Sequence, residues 1–430
     1  LLTSVQKITR FETTLWVLVE LTLLVVPFAI MRPAIDVFRT PKDVVFETLA
    51  LTIFAAAAAG ALLSDRLAAA FVVNRQAAVV AAAAVAWTGI VVTTSLQRDV
   101  SYFKPLFVFA LAVFFAASMM TARRRGAFAL TLVIVPAIAN AIVAFLQSTG
   151  SARFLITTSA HADKRLWTSG FIGNPNELGG YFVLPLIAAI AASLAWPRLR
   201  WGFAAAAAIL AGGVIAAQSV TPVIALAAGV AALTLLPGAR RLRWVAAAAL
   251  ALLIGGVSLH PGARGRMQSL VTSARSGAVL EMSSYRLPAF VAAWRMFRAR
   301  PLVGVGPGVF GTQFMAYKLA LDADHPSWIR VGNQNFGETH NDHLQLLAET
   351  GLPGYLLFLA ALALLARLSF ARREVITERI RFARTFALPA AAAFAVLALA
   401  HFPMQLTSTM VPAVFLAALA FAWMEPDEVA

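Results

Sequence analysis

Two histidines and two carboxylates share the stretch His340-Asn341-Asp342-His343-Leu344-Gln345-Leu346-Leu347-Ala348-Glu349-Thr350-Gly351-Leu352-Pro353-Gly354. A polar, arginine-bearing segment precedes it, and an apolar run begins at Tyr355. Ionisable groups thus stand where a loop becomes a membrane helix, a place where they are costly and mark function. An imidazole titrating near 6.5 suits removal of a proton from a hydroxyl group, so the spacing predicts His340 as a general base. Two other readings stand beside it. His340 and His343, three apart, would share a helix face and with Asp322, Asp324 or His325 resemble a metal set; no H-E-x-x-H signature accompanies them, and no metal is expected. His340 would otherwise satisfy loop carbonyls. Nucleophilic catalysis fits less well, since the chain has no cysteine and no serine elbow.

Cations gather in two other places. Ser283-Ser284 can cap a helix starting near Tyr285, with Leu287, Phe290, Val291, Trp294 and Phe297 at helical spacing and Arg286, Arg295, Arg298 and Arg300 between them. A Trp- and Arg-bearing stripe describes a helix in the membrane interface. Arg286, read as lying in the first turn, would meet an anion beside free N–H groups and offer it bidentate geometry. The second group, Arg153, His161, Lys164 and Arg165, precedes Gly173-Asn174-Pro175-Asn176-Glu177. That pattern reads as a helix start, with Asn174 as cap, Pro175 at the first position and Glu177 at the third. The cationic loop before it would supply further phosphate ligands. Gly304-Val305-Gly306-Pro307-Gly308-Val309-Phe310-Gly311 has the glycine spacing of a nucleotide loop, but no strand precedes it, and turn formation after Pro301 accounts for it.

The elements that must position these residues are membrane helices. Apolar residues make up 60% of 430, charged residues 13%, and the mean hydropathy is +0.79, which excludes a soluble domain. Twelve spans are expected, near 13–31, 44–63, 76–96, 103–122, 127–148, 171–196, 201–217, 219–236, 244–259, 355–370, 386–403 and 405–424. The first is read as a retained helix and not a cleaved leader, because Glu20 interrupts it and no small-residue cleavage pattern follows. The turn Gln218-Ser219 is too short to leave the membrane, so 201–236 reads either as two spans or as a broken segment. The fold class is therefore all-α and polytopic: one membrane domain, 1–430, with a large helical loop at 260–341. The net charge of +15 sorts accordingly. Eighteen cations fall on the side assigned as cytoplasmic, eight in short external loops, and nine in 260–341. This nine-cation outer loop is the anomaly, and it points to anionic lipid head groups or a phosphorylated substrate and to no nucleic acid.

His340-Asn341, nine residues, then Gly351-x-x-Gly354, after a large loop in a twelve-span chain, resembles the O-antigen ligase/polymerase family. Ser284-x-Arg286, Trp294, Arg300-Pro301-Leu302-Val303-Gly304-Val305-Gly306 and Gly173-Asn174-Pro175-Asn176 are similar to two more of its motifs. The resemblance, most like the ligases, implies a GT-C-type glycosyltransferase of the bacterial inner membrane. It would move a glycan from undecaprenyl pyrophosphate to lipid A-core at the periplasmic face, without metal or other cofactor. It implies His340 as the residue activating the acceptor hydroxyl and Arg286 as the pyrophosphate ligand, with Arg165, Lys164 and Arg153 adding charge. Asn341, His343, His161, Asn174 and Asn176 support them. Many relatives have Ser-Arg where this chain has Ser219-Val220; Arg153, Lys164 and Arg165 are the cations available to replace that arginine. Direct displacement would invert the sugar, whereas retention would need a carboxylate such as Glu338, Asp342 or Glu349 near the reacting carbon. The other readings are an O-antigen polymerase, a protein oligosaccharyltransferase, and a transporter of the lipid-linked glycan, for which Glu20 and Glu47 are the charges within spans.

Overall fold

The computed structural model describes residues 4–34, 36–63, 74–123, 125–152, 164–237, 240–324 and 335–425, with the side chains of 4–10, 63, 164, 241, 322 and 323 excepted. The described residues form helices and no strands. In order they are α1 (Ser4–Val25), α2 (Arg39–Leu63), α3 (Arg75–Thr93), α4 (Phe103–Ala122), α5 (Phe128–Ser148), α6 (Pro175–Ala195), α7 (Arg200–Ala216), α8 (Val220–Ala232), α9 (Arg240–Leu259), α10 (Pro261–Arg275), α11 (Leu287–Ala299), α12 (Phe310–Asp324), α13 (Asp342–Arg367), α14 (Glu378–Leu397) and α15 (Thr407–Ala422). Among the described residues nine stretches are long and apolar enough to cross a bilayer, and α7, α8 and α15 add three shorter apolar helices. The expected spans thus recur in order. The chain is a polytopic helical membrane protein.

The centre of the bundle is α6, whose most apolar 18-residue stretch is 83% buried, whereas the corresponding stretches of α9 and α13 are 11% buried and lie at the edge. Around α6 pack α7, α8 and α14, while α1, α2, α4 and α15 form a second group joined to it through α15. Small residues set these distances, since lipid offers no hydrophobic drive and close backbone approach is the main gain. A Cβ on Gly229 of α8 would stand 2.9 Å from the Pro389 carbonyl oxygen of α14. The questioned stretch 201–236 is two helices, Arg200–Ala216 and Val220–Leu235, turning at Gln218.

Two sets of contacts mark opposite ends. At one, Arg379 donates to the Arg123 carbonyl (3.0 Å), Trp423 Nε1 to the Ala122 carbonyl (3.2 Å), and Arg373 to the Met424 carbonyl. At the other lie Arg39, Asn176, Ser219, Arg286, His340 and His401, joined to that end by hydrogen bonds and ring contacts. Each group holds only segments the alternation of sides assigns to one face.

Helix α13 is broken at Gly351 (φ 68°, ψ −173°), a conformation essentially closed to residues with a Cβ. The break and Pro353, which lacks an N–H, free carbonyls within an apolar setting, where each must find a donor. The segment after α11 supplies them. Val305 N–H donates to the Ala348 carbonyl (2.8 Å) and Gly306 N–H to the Glu349 carbonyl (3.1 Å), while Trp87 Nε1 reaches Thr350 O (2.9 Å). In return Leu352 N–H donates to the Pro301 carbonyl (2.8 Å). The glycine-rich run is therefore a turn threaded against a kinked helix, as its sequence suggests.

Two local expectations change. Helix α11 starts at Leu287 and not near Tyr285, because Ser284 and Tyr285 take positive φ and Ser283 Oγ accepts the Leu287 N–H (3.2 Å). Arg286 is its N-cap and does not lie in the first turn. The face packed inward is Pro288, Ala289, Ala292, Ala293 and Met296; Trp294 is exposed, while Leu287, Phe290 and Phe297 are half-buried and Val291 packs at the margin of that core.

At Gly351 a Cβ would meet Leu302 O at 2.2 Å and Leu302 C at 2.4 Å, whereas at Gly89 in α3 it would meet nothing within 4 Å. Gly351→Ala is expected to lower stability by roughly 3 kcal/mol or more through strain plus overpacking, and Gly89→Ala to leave it unchanged or slightly raised. Thermal unfolding of the two variants in detergent checks this, and equal midpoints would contradict it.

Candidate active site

His340 is held in place by the residues on either side of it. Asn341 caps α13 by accepting the Leu344 N–H (3.0 Å), and Asp342 N–H donates to the Ala398 carbonyl (2.9 Å). The Asp342 carboxylate accepts the Met404 N–H (2.7 Å), and Gln345 Oε1 accepts the Thr339 N–H (3.0 Å). These bonds fix both flanks of His340, which itself has φ 56°, uncommon for a residue with a side chain. Its ring stands edge-on to Phe402, centroids 4.6 Å apart, with Phe336 at 6.0 Å.

The segment between α14 and α15 forms the wall beside it. His401 is buried, with Nε2–H donating to the Asn176 carbonyl (3.0 Å) and Nδ1 accepting the Phe402 N–H (2.7 Å). Both nitrogens are committed, so this imidazole is held neutral as a strut between that wall and the start of α6. Arg286 donates to the Ala400 carbonyl (3.0 Å), which brings its guanidinium beside the two histidines. Burial, then the charge of Arg286, pushes the His340 imidazole down to about 3, with His401 and Arg39 adding to the effect. Burial also brings His401 down to about 3 and lowers Arg286.

The asparagine-proline-asparagine turn forms the third side. Asn174 Oδ1 accepts the Asn176 N–H (2.8 Å) with Pro175 in the first turn of α6, as expected. Glu177 does not reach back to the cap; it accepts from Arg39 Nη2 (2.6 Å), and Arg39 Nη1 donates to Glu338 (2.7 Å). Asn176 Oδ1 accepts from Arg165 Nη2 (2.5 Å) and from Ser219 Oγ (3.0 Å).

The described residues therefore bring His340, Asn341, Arg286, Asn174, Asn176 and Arg165 to one end of the bundle. Lys164 opens a short 3-10 turn, and its side chain lies outside the described residues, as do Arg153 and His161 altogether. His343 does not share a face with His340. Its Nε2–H donates to the Ala395 carbonyl (2.9 Å) and Nδ1 takes the Tyr355 hydroxyl (3.2 Å), which ties α13 to α14. The two rings diverge because His340 precedes the helix that the shared-face reading required.

Residues 205–359 match the family model described as O-antigen ligase. That stretch, somewhat over a third of the chain, supports the resemblance to the O-antigen ligase/polymerase family. No curated protein matches the chain. The matched family is one of glycosyltransferase-like enzymes of the O-antigen pathway, and the apolar helices of this chain agree with a multi-pass membrane protein. The matched region contains α11, the glycine turn and His340, but neither Arg39 nor the turn at Asn174.

Sequence reasoning missed Arg39 and His401. Arg39 counts in the sequence only as one of the eight cations of the short external loops. His401 offered a signal, an imidazole at the end of an otherwise apolar run, Ala390 to Phe402.

In the unfolded chain both His340 and His401 would bind a proton below about pH 6.5, while in the fold each stays neutral down to about 3. The unfolded state binds more protons across that window, so stability is full above it and declines as pH falls. The unfolding temperature in detergent should drop between pH 7 and pH 5, and His401→Asn should shallow that slope. A slope identical in the variant would contradict the neutral strut.

Proposed function

We propose that this protein is an O-antigen ligase that moves a polysaccharide from undecaprenyl pyrophosphate to a sugar hydroxyl of lipid A-core. The transfer would take place at the periplasmic face of the bacterial inner membrane. His340 is the general base and Arg286 the pyrophosphate ligand; Arg165, with Lys164 and Arg153 from the same loop, supplies further positive charge. Both lipid substrates enter sideways from the bilayer. The single observation that carries this reading is the convergence of a neutral, half-exposed imidazole and a guanidinium at one end of the bundle.

The electrostatics support a sequence of events. With no donor bound, burial and then nearby positive charge keep His340 unprotonated and weakly basic. A pyrophosphate on Arg286 offsets that charge, so the imidazole gains proton affinity when the donor is in place. It then takes the acceptor proton as the sugar–phosphate bond breaks, and the arginines stabilise the departing diphosphate. The disposition of carboxylates favours inversion. Asp342 and Glu349 are buried and turned to backbone N–H groups of Met404, Gly308 and Phe310, and Glu338 is paired with Arg39. None is disposed as a nucleophile, so direct displacement by the acceptor oxygen is the simplest course. Arg165 reaches Asn176 beside Ser219, which supports it as the replacement for the arginine that many relatives carry next to that serine.

A polymerase with the same chemistry is the second reading, since the family match supports ligase-type and polymerase-type function alike. Loss of the gene separates the two. A ligase leaves lipid A-core bare while polymer accumulates on the carrier; a polymerase leaves one repeat unit on the core; a normal glycan ladder would end both.

With purified protein and both lipids, His340→Ala should lower transfer at least about 10²-fold. For the wild type, kcat/KM should hold level on acidification to about pH 5, because it follows the free enzyme, in which His340 stays unprotonated. The acid limb of kcat should lie higher, because it follows the donor complex. Undiminished transfer by the Ala variant would remove His340 from the mechanism.

A further inference from the structure

Arg39 opens α2, far in sequence from the residues that resemble a family motif, yet its guanidinium joins three parts of the site. Its two terminal nitrogens divide between Glu177 on α6 (2.6 Å) and Glu338 (2.7 Å), with Asp36 at 3.9 Å from Nε. Its carbon also stands 4.9 Å from the centroid of Phe402, the ring that meets His340. Glu338 lies two residues before His340, on the end of the long segment between α12 and α13. A residue kept at positive φ needs surroundings that hold it from both sides. Downstream, Asn341 and Asp342 bind α13 and Ala398; upstream, Thr339 binds Gln345 and Glu338 binds Arg39.

We infer that Arg39 is a positioning residue: by dividing its guanidinium between Glu177 and Glu338 it fixes the His340 segment against the start of α6. The geometry calls for arginine. A planar guanidinium can serve two carboxylates at once, whereas an ammonium is a single point donor. Lys42, one turn later, cannot take over, because its ammonium is spent on the carbonyls of Ala29, Phe38 and Phe171 at 2.8 to 2.9 Å. Glu177 is buried and requires a cation in any case, so one arginine neutralises the core acid and anchors the half-exposed Glu338. Loss of that anchor acts on His340 through its backbone and leaves the donor ligands in place.

This inference rests on the proposed function for its kinetic arm and stands apart from it in a second. Arg39→Lys keeps a cation for Glu177, and Glu338→Gln, at a side chain 25% exposed, leaves the Arg39–Glu177 pair intact, so both variants should fold. With the purified full chain, a carrier-linked glycan and lipid A-core, each should lower kcat about tenfold while donor KM stays within about twofold. The double variant should be no slower than the slower single, as expected of one shared interaction. Backbone hydrogen exchange over 335–341 should quicken in both variants and not elsewhere in α13. Unchanged exchange together with unchanged kcat would overturn the inference, as would multiplicative losses, or a loss confined to donor KM, which would make Arg39 a donor ligand. If the wild type transfers no glycan, the ligase reading falls, and the exchange measurement alone decides whether Arg39 holds the segment.

Discussion

A helix broken inside an apolar bundle must find donors for the carbonyls it releases, and that requirement organises this end of the protein. Gly351 and Pro353 free the carbonyls of α13, and only a segment with two successive, suitably aimed N–H groups can satisfy them. Val305 and Gly306 do so, and the chain between α11 and α12 is thereby fixed against the kink. The buried carboxylate of Glu349 then accepts the N–H groups of Gly308 and Phe310 and fixes the start of α12. The outer segment is thus held to the membrane helices by backbone bonds, and α11, with Arg286 at its head, packs directly on α13.

Charge near the site has two distinct uses. Asp342 and Glu349 act on the backbone, and Lys42 likewise spends its ammonium on carbonyls. Arg165 and Arg286 are half-exposed and lie near the wall made by His401 and Phe402, while Arg39 is committed to Glu177 and Glu338. Buried groups with every hydrogen-bonding position filled are poor reactants, while a partly open guanidinium beside a neutral imidazole can still exchange its partners for a ligand. This division supports the proposed roles of His340 and Arg286 and leaves His343 and His401 as struts.

The motif at His340 was legible because its chemistry is local. An asparagine cap, a glycine that alone tolerates its φ, and a proline that cannot donate are properties of single residues, and they produce the start and the kink of α13, although the expected span began only at Tyr355. The cap at Asn174 was legible for the same reason. The start of α11 was misjudged by two residues because Ser283 caps through a turn in which Ser284 and Tyr285 take positive φ, a conformation their types disfavour. The shared face of His340 and His343 failed because helical spacing applies only within a helix, and His340 lies just before one.

By itself the sequence determined the membrane class, the order of twelve apolar segments and the alternation of sides, since these derive from hydropathy, length and the distribution of Lys and Arg. It also determined which local stretches could cap, kink or carry an imidazole. Only the tertiary structure decided which distant charges meet. The pairing of Arg39 with Glu177 and Glu338, and the contact of His401 with Asn176, join segments separated by 138 to 299 residues. No periodicity encodes such contacts; they arise because helices packed through small residues bring their ends together, and burial then requires each charge to find its opposite.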